Sequence, residues 1–314
     1  MEHRVLQLFI VGEPMSLFVK WVESMHVDLK ITNKCSRKRN VHSTCDTCLE
    51  NCPFAAISFN QQTIEINLEK CSFCGECVIT CPLSAIEGPA VTREFKNRSL
   101  IYDDTNSLTV KELLIYKSRG LKSVKMEQTP LNLHWETVIK QTNKMLIELK
   151  QDPIAMEQKN SEERFSRRTF LSSMRTGGKK LAKSMAPASW RMEANEWNLA
   201  NYFTEYQIYT VELDYKKCTM CKACFTFCTQ EVFHVIDSYL YIGNDKCVNC
   251  TDCTDICQED AIQIIPNIKL KKERRLPLFS KECQDCGQSF YSFQTERKKC
   301  PICMNRDPGW LSPC

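Results

Sequence analysis

Apolar positions along the chain fall into two regimes. In one, they repeat at helical spacing between short apolar stretches. Leu113 and Leu114 follow a Thr109 to Glu112 capping box and precede Gly120, which predicts a helix with both ends marked. A longer helix is predicted from about Asn132 to Lys150, where Trp135, Val138, Ile139, Met145, Leu146 and Leu149 share one face. Ser99 to Tyr102 and Leu121 to Met126 read as strands. Near the amino terminus the same rhythm gives a strand at Arg4 to Val11, a helix at Leu17 to His26 and a strand at Val27 to Ile31. Alternating strands and helices imply a small α/β unit, formed by residues 1–32 and 98–152 with the intervening stretch inserted into it.

The second regime, at residues 33–97 and 210–268, shows only short strand-like runs such as Thr63 to Leu68 and Tyr239 to Gly243. Here composition changes the picture. The 314 residues include 21 cysteines, nearly all in C-x2-C runs rather than scattered as in a disulfide framework. They read as thiolate metal ligands in a reducing, cytoplasmic compartment. Cys45, Cys48, Cys52, Cys71, Cys74, Cys77 and Cys81 recur at one constant offset as Cys221, Cys224, Cys228, Cys247, Cys250, Cys253 and Cys257. Lys70, Ile66 and Ala85-Ile86 repeat in the same register, as Lys246, Ile242 and Ala261-Ile262, so framework and candidate ligands were duplicated together.

The cleanest run, from Cys71 to Pro82, has the spacing C-x2-C-x2-C-x3-C-P. Cysteines at i, i+3 and i+6 wrap a tight loop around one face of a cubane, and the x3 spacer carries the fourth cysteine away to a neighbouring cluster. On these motifs both copies resemble bacterial-type dicluster 4Fe-4S ferredoxins, and the whole chain is similar to polyferredoxin-like electron-transfer proteins. The resemblance implies short antiparallel strands and two short helices around each pair of clusters. It also implies crossed ligand sets: Cys45, Cys48 and Cys81 in one site, and Cys71, Cys74, Cys77 and Cys52 in the next. In the second copy the sets are Cys218, Cys221, Cys224 and Cys257, then Cys247, Cys250, Cys253 and Cys228.

Two departures stand out. Thr229 and Gln258 replace the prolines found at Pro53 and Pro82, which is expected to loosen those turns. The position of the first copy in register with Cys218 is His42, while Cys35 lies further upstream without another role. Either Cys35, folded back over an insertion, or His42 completes the first site; a labile three-thiolate cluster is the third option. Cys35 is the softer and more usual ligand.

Beyond the second copy, Cys283, Cys286, Cys300 and Cys303 form C-x2-C-x13-C-x2-C, which resembles a zinc ribbon, with iron the less favoured occupant. Gly287 suits a turn that aims backbone N–H groups toward sulfur. Sixteen cysteines for four clusters, four for one zinc and Cys314 then account for all 21.

Residues 153–209 read as a basic linker; within it, residues 161–192 carry a net +6 and an internal Ser166-Arg167-Arg168-Thr169-Phe170-Leu171 run resembling a twin-arginine motif. No apolar stretch is long enough for a transmembrane helix, and the sequence has no G-x-G-x-x-G, P-loop or haem motif. A formal charge of +4 gives no reason to expect nucleic acid. The expected fold is α+β: two dicluster ferredoxin-like modules (33–97 and 210–268), the α/β unit around the first, and a zinc ribbon-like tail at 269–314. The expected function is one-electron relay through four 4Fe-4S clusters for a cytoplasmic oxidoreductase, with no catalytic site of its own. By family analogy the redox partner is a molybdopterin-dependent oxidoreductase or a hydrogenase. An accessory role in loading clusters into such an enzyme is the alternative.

Overall fold

Three units built on different principles are visible in the computed structural model, which describes residues 29–60, 63–88, 91, 93–126, 129–158 and 192–304. The strand and helix expected at Arg4 to His26, the basic stretch at 159–191 and Cys314 lie outside the described residues.

The α/β unit is a four-stranded sheet in the order β5 (Phe95–Lys96), β6 (Ser99–Ile101), β7 (Ser123–Met126), β8 (Ala155–Gln158). β5 pairs antiparallel with β6, and the remaining pairs are parallel. Parallel neighbours need helical crossovers, supplied by α4 (Val110–Ser118) and α5 (Leu133–Glu148). The expected capping box closes on one side only: Thr109 Oγ1 accepts from the Glu112 amide, but the Glu112 carboxylate is taken by Arg93. Gly120, at φ +104°, ends α4 in a Schellman turn, with Leu121 N–H donating to Tyr116 and Gly120 N–H to Lys117. On α5, Trp135, Val138, Ile139, Leu146 and the following Leu149 are buried, as the spacing predicts. β5 and β8 carry the unit past both of its expected limits.

The first cysteine-rich region folds around a short ribbon of β1 (Lys30–Ile31) with β4 (Ile86–Glu87) and a hairpin of β2 (Ile57–Asn60) with β3 (Thr63–Ile66). The strand expected at Val27 to Ile31 therefore ends in this module, not in the α/β sheet, because its partner is β4. In the second region β9 (Tyr206–Leu213) pairs with β12 (Ile262–Leu270), and β10 (Phe233–Ile236) with β11 (Tyr239–Ile242). The two hairpins start and stop in the same register as the cysteines. The expected boundary at 268 falls inside β12, and β13 (Arg274–Pro277) adds a third strand beside β11. The tail then makes its own hairpin, β14 (Phe279–Glu282) with β15 (Ser289–Ser292).

Two cores result. One gathers the α/β unit and the first module; the other lies inside the second module. β9 serves both, with Ile208 in the first core and Val211 and Leu213 in the second. Among the described residues no helix is long and apolar enough to cross a membrane.

Candidate metal centres

Each cysteine run is a loop followed by a short helix. The helices are α2 (Thr47–Glu50), α3 (Glu76–Thr80), α6 (Ala223–Phe227) and α7 (Asp252–Asp255). In three runs the second and fourth residues after the leading cysteine have positive φ: Phe73 and Gly75, Met220 and Lys222, Asn249 and Thr251. Only Gly75 is free of the usual penalty for that conformation. The conformation turns consecutive amides inward as an anion nest, and Phe73 N–H and Met220 N–H donate to the sulfurs of Cys71 and Cys218 at 3.4 Å. Another turn follows each fourth cysteine, with positive φ three residues on, at Ala55, Ser84, Glu231 and Asp260. The turns expected to loosen at Thr229 and Gln258 keep this geometry without proline, held by amides such as that of Ala261 on Cys257 Sγ at 3.3 Å.

The thiols converge in the crossed arrangement. One cavity is lined by Cys52, Cys71, Cys74 and Cys77, a second by Cys218, Cys221, Cys224 and Cys257, and a third by Cys228, Cys247, Cys250 and Cys253. Apolar side chains complete the walls, for example Ile57 and Ile66, Phe233 and Leu240, or Val211 and Ile264. Burial, then neighbouring thiols, pushes Cys77 up to about 12, with Cys74, Cys71 and Cys52 among those neighbours. Cys250 is pushed to about 12 and Cys218 to about 11 by the same leading cause. Packed thiols cannot all ionise unless a cation compensates. Iron supplies that charge, so these soft donors, their apolar walls and the amides on sulfur fit a thiolate-bound cluster.

The first site has no such nest, because its leading positions are replaced by an insertion. Strand pairing aligns Ile31 with Leu213, since they face Ile86 and Ile262. The following amides match too: Thr32 N–H donates to Ala85 O and Asp214 N–H to Ala261 O, each at 2.8 Å. Cys35 then sits four residues after its strand and Cys218 five, so the extra residues lie between Cys35 and Cys45 and include α1 (Ser36–Arg39). Burial raises the Cys35 thiol, the amides of Arg37 and Lys38 oppose that, and Cys81 is its thiol neighbour. Burial, then Cys81, Cys45 and Cys35, pushes Cys48 up to about 12. Cys35 is thus grouped with Cys45, Cys48 and Cys81, whereas His42 is exposed, its backbone amide donating to Asn40 Oδ1.

In the tail, the sulfurs of Cys283, Cys286, Cys300 and Cys303 lie within 4.8 Å of one another. Gly287 has the expected positive φ of 69°, but its amide donates to Cys283 O. The amides turned onto the Cys283 sulfur are those of Cys300, Cys286 and Asp285, and the first of these leads in holding its pKa near 6. A hydrogen bond with Cys286 leads in raising Cys303 to about 12.

Sequence reasoning passed over two acids within these runs. Glu76 and Asp252, both buried, precede the third cysteine of their runs and occupy matching positions of the two copies, the signal that could have found them. Each faces an arginine: Glu76 feels Arg93, and Asp252 pairs with Arg39 of the insertion. In both, burial leads in raising the carboxyl pKa.

Residues 43–85 match the 4Fe-4S dicluster domain family. Over 45 residues, 14% of this chain, the sequence is 49% identical to an uncharacterized protein of Haemophilus influenzae, covering 25% of it. Over 43 residues it is 46% identical to a subunit of the ion-translocating oxidoreductase complex of Methanosarcina acetivorans, covering 14% of this chain and 16% of that protein. The chain thus spans a quarter or less of the relatives' length. Together, the domain match and the shared sequence identify an iron-sulfur, ferredoxin-like electron-transfer domain within this chain.

Proposed function

We propose that the chain holds four 4Fe-4S clusters in its crossed cysteine quartets and one zinc in its tail, and relays single electrons to or from an oxidoreductase. The observation that carries this reading is the convergence of Cys218, Cys221, Cys224 and Cys257 on one apolar-walled cavity, repeated by two other quartets. When bound, a cluster of this type takes up and returns one electron. The chain's own contribution is to exclude water with apolar walls, to steady charge on sulfur with amides, and to keep ligands in fixed loops. A relative that belongs to an oxidoreductase complex supports a partner of that class.

Metal analysis tests the reading. Protein purified without oxygen should carry about sixteen iron atoms and one zinc per chain, from four cubanes and one tetrathiolate site. Iron near eight atoms with three or more zincs would sink it. Cys283→Ser should release the zinc while the iron content stays near its full value.

The first site gives a sharper result. Cys35→Ser should produce a three-iron or potential-shifted cluster, because a hydroxyl is a harder and poorer ligand than thiolate. His42→Ala should leave that cluster's EPR spectrum unchanged, since the imidazole is exposed. The reverse pattern would make histidine the ligand.

A further inference from the structure

The insertion after Cys35 reaches across to the second module. Ser36 Oγ donates to Cys250 O at 3.4 Å. Arg39 pairs with the Asp252 carboxylate and donates through Nη1 to Phe227 O at 3.0 Å. Thr44 places its amide and its hydroxyl on the two carboxylate oxygens of Asp255, each at 2.9 Å. The acceptors all belong to one site of the second module: Phe227 precedes Cys228, and the rest lie in the run of Cys250 and Cys253. Packing agrees, because Cys250 is buried in the core of the first half of the molecule rather than in that of its own module. A cavity of about 290 Å³ lies alongside, with Thr47 and Pro82 on one wall and Cys247 and Asn249 on the other.

We propose that residues 36–44 form a junction that fixes the order of the four sites. The site of Cys35, Cys45, Cys48 and Cys81 stands against that of Cys228, Cys247, Cys250 and Cys253, and the other two sites lie at the outer ends. The inference rests on the four-cluster reading. Among the described residues, those around the Cys71 site come from the first half alone. Those around the Cys218 site come from the second module, with the tail reaching its loop through Arg297 Nη1 on Thr219 O at 3.3 Å. Within each module the two sites are joined at equivalent points, since α2 packs against α3 and α6 against α7. Arg39 is a positioning residue: it binds no iron, but its guanidinium, 20% exposed, holds a fully buried carboxylate in place beside Cys253. The irregular spacing at Cys35 thereby gains a reason, because a spacer as short as that between Cys218 and Cys221 could not reach the neighbouring module.

The test is magnetic. Reduced 4Fe-4S clusters are paramagnetic, and two held close together split each other's EPR spectrum. Full-length protein with Cys71, Cys74, Cys77, Cys218, Cys221 and Cys224 all changed to serine, which leaves each outer site a single thiolate and so empties it, should keep the split spectrum of an adjacent pair. Full-length protein with Cys35, Cys45, Cys48, Cys247, Cys250 and Cys253 all changed to serine, which empties the inner sites in the same way, should give the sum of two isolated signals. Adding Arg39→Gln to the first variant should reduce the splitting at unchanged iron content. A split spectrum from the outer pair, or an unsplit one from a fully loaded inner pair, overturns the order. Amide hydrogen exchange on full-length wild type and Arg39→Gln decides the junction even where a site-emptied chain fails to fold. Exchange at 250–255 should rise roughly tenfold while 71–77 stays unchanged, because one partner of a buried pair is lost. Unchanged exchange at 250–255 overturns the junction. Wild-type iron far below about sixteen atoms per chain would instead sink the cluster reading, which the exchange result does not depend on.

Discussion

Replacing Cys52 with serine should strip or degrade the cluster held by Cys71, Cys74 and Cys77 while leaving that of Cys45 and Cys48 intact. Cys52 belongs by sequence to the run of Cys45 and Cys48, but it lines the cavity of the other run, where the walls include Ile57, Ile66 and Phe73. Its sulfur receives the Ala56 amide at 3.3 Å, the hydrogen bond that Ala85 makes to Cys81 at 3.2 Å. A serine hydroxyl at that position would stay protonated, and one iron would lack a soft anionic ligand. The expected loss is about four of about sixteen iron atoms, or about one atom where a three-iron cluster survives. Cys228→Ser should act in the same way on the cluster of Cys247, Cys250 and Cys253, whose cavity it lines. Iron analysis with EPR of each variant measures this. Should each substitution disturb only the site of its own run, the crossed assignment would be wrong.

Legibility followed locality. Cysteine spacing reports loops a few residues across, so the runs and their repeated spacing could be read from the chain, whereas the choice between Cys35 and His42 stayed open there. Helix ends were equally local: Thr109, Asn132 and Gly120 act through hydrogen bonds within one turn. What escaped is long-range. Strand β13 joins β11 from well beyond the cysteine run that separates them, and Val27 to Ile31 reads as a strand without revealing that its end faces Ile86 rather than the α/β sheet. Non-glycine residues at positive φ, such as Met220 and Thr251, carry no compositional mark, yet they shape the same loops as Gly75. Arg39 illustrates the same limit: nothing in the sequence around Cys35 points to Asp252 of the other module, with which the folded chain pairs it.

The pair of Arg93 and Glu112 escaped the sequence for that reason too, and its loss should have the largest effect on stability. Arg93 donates from Nε and Nη2 to the two Glu112 oxygens at 2.7 and 2.8 Å, and again from Nη2 to Ser107 O at 2.6 Å. The side chains are 4% and 0% exposed. Burial alone would lower the arginine pKa, but the carboxylate outweighs it and the net direction is upward. Glu76 turns toward the same guanidinium with one carboxylate oxygen unpartnered, so the arginine balances two acids beneath the loop of Cys74 and Cys77. Glu112→Ala would leave a guanidinium buried opposite too little charge, and a loss of about 3–5 kcal/mol is expected. At about 1–3 kcal/mol per M of urea, the unfolding midpoint should fall by roughly 1 M or more. Helix capping is spared, because Thr109 accepts from the backbone amide of Glu112. Arg93→Met should be at least as harmful, since it strands both acids. Arg93→Met combined with Glu112→Leu should recover part of the Arg93→Met loss, because apolar groups of similar volume remove one of the two stranded acids and leave only Glu76. Trp135 and Trp197 lie in this core, so tryptophan fluorescence during oxygen-free urea titration reports the transition. A midpoint for Glu112→Ala equal to wild type, or a double variant weaker than both single ones, would show that the pair does not hold this unit together.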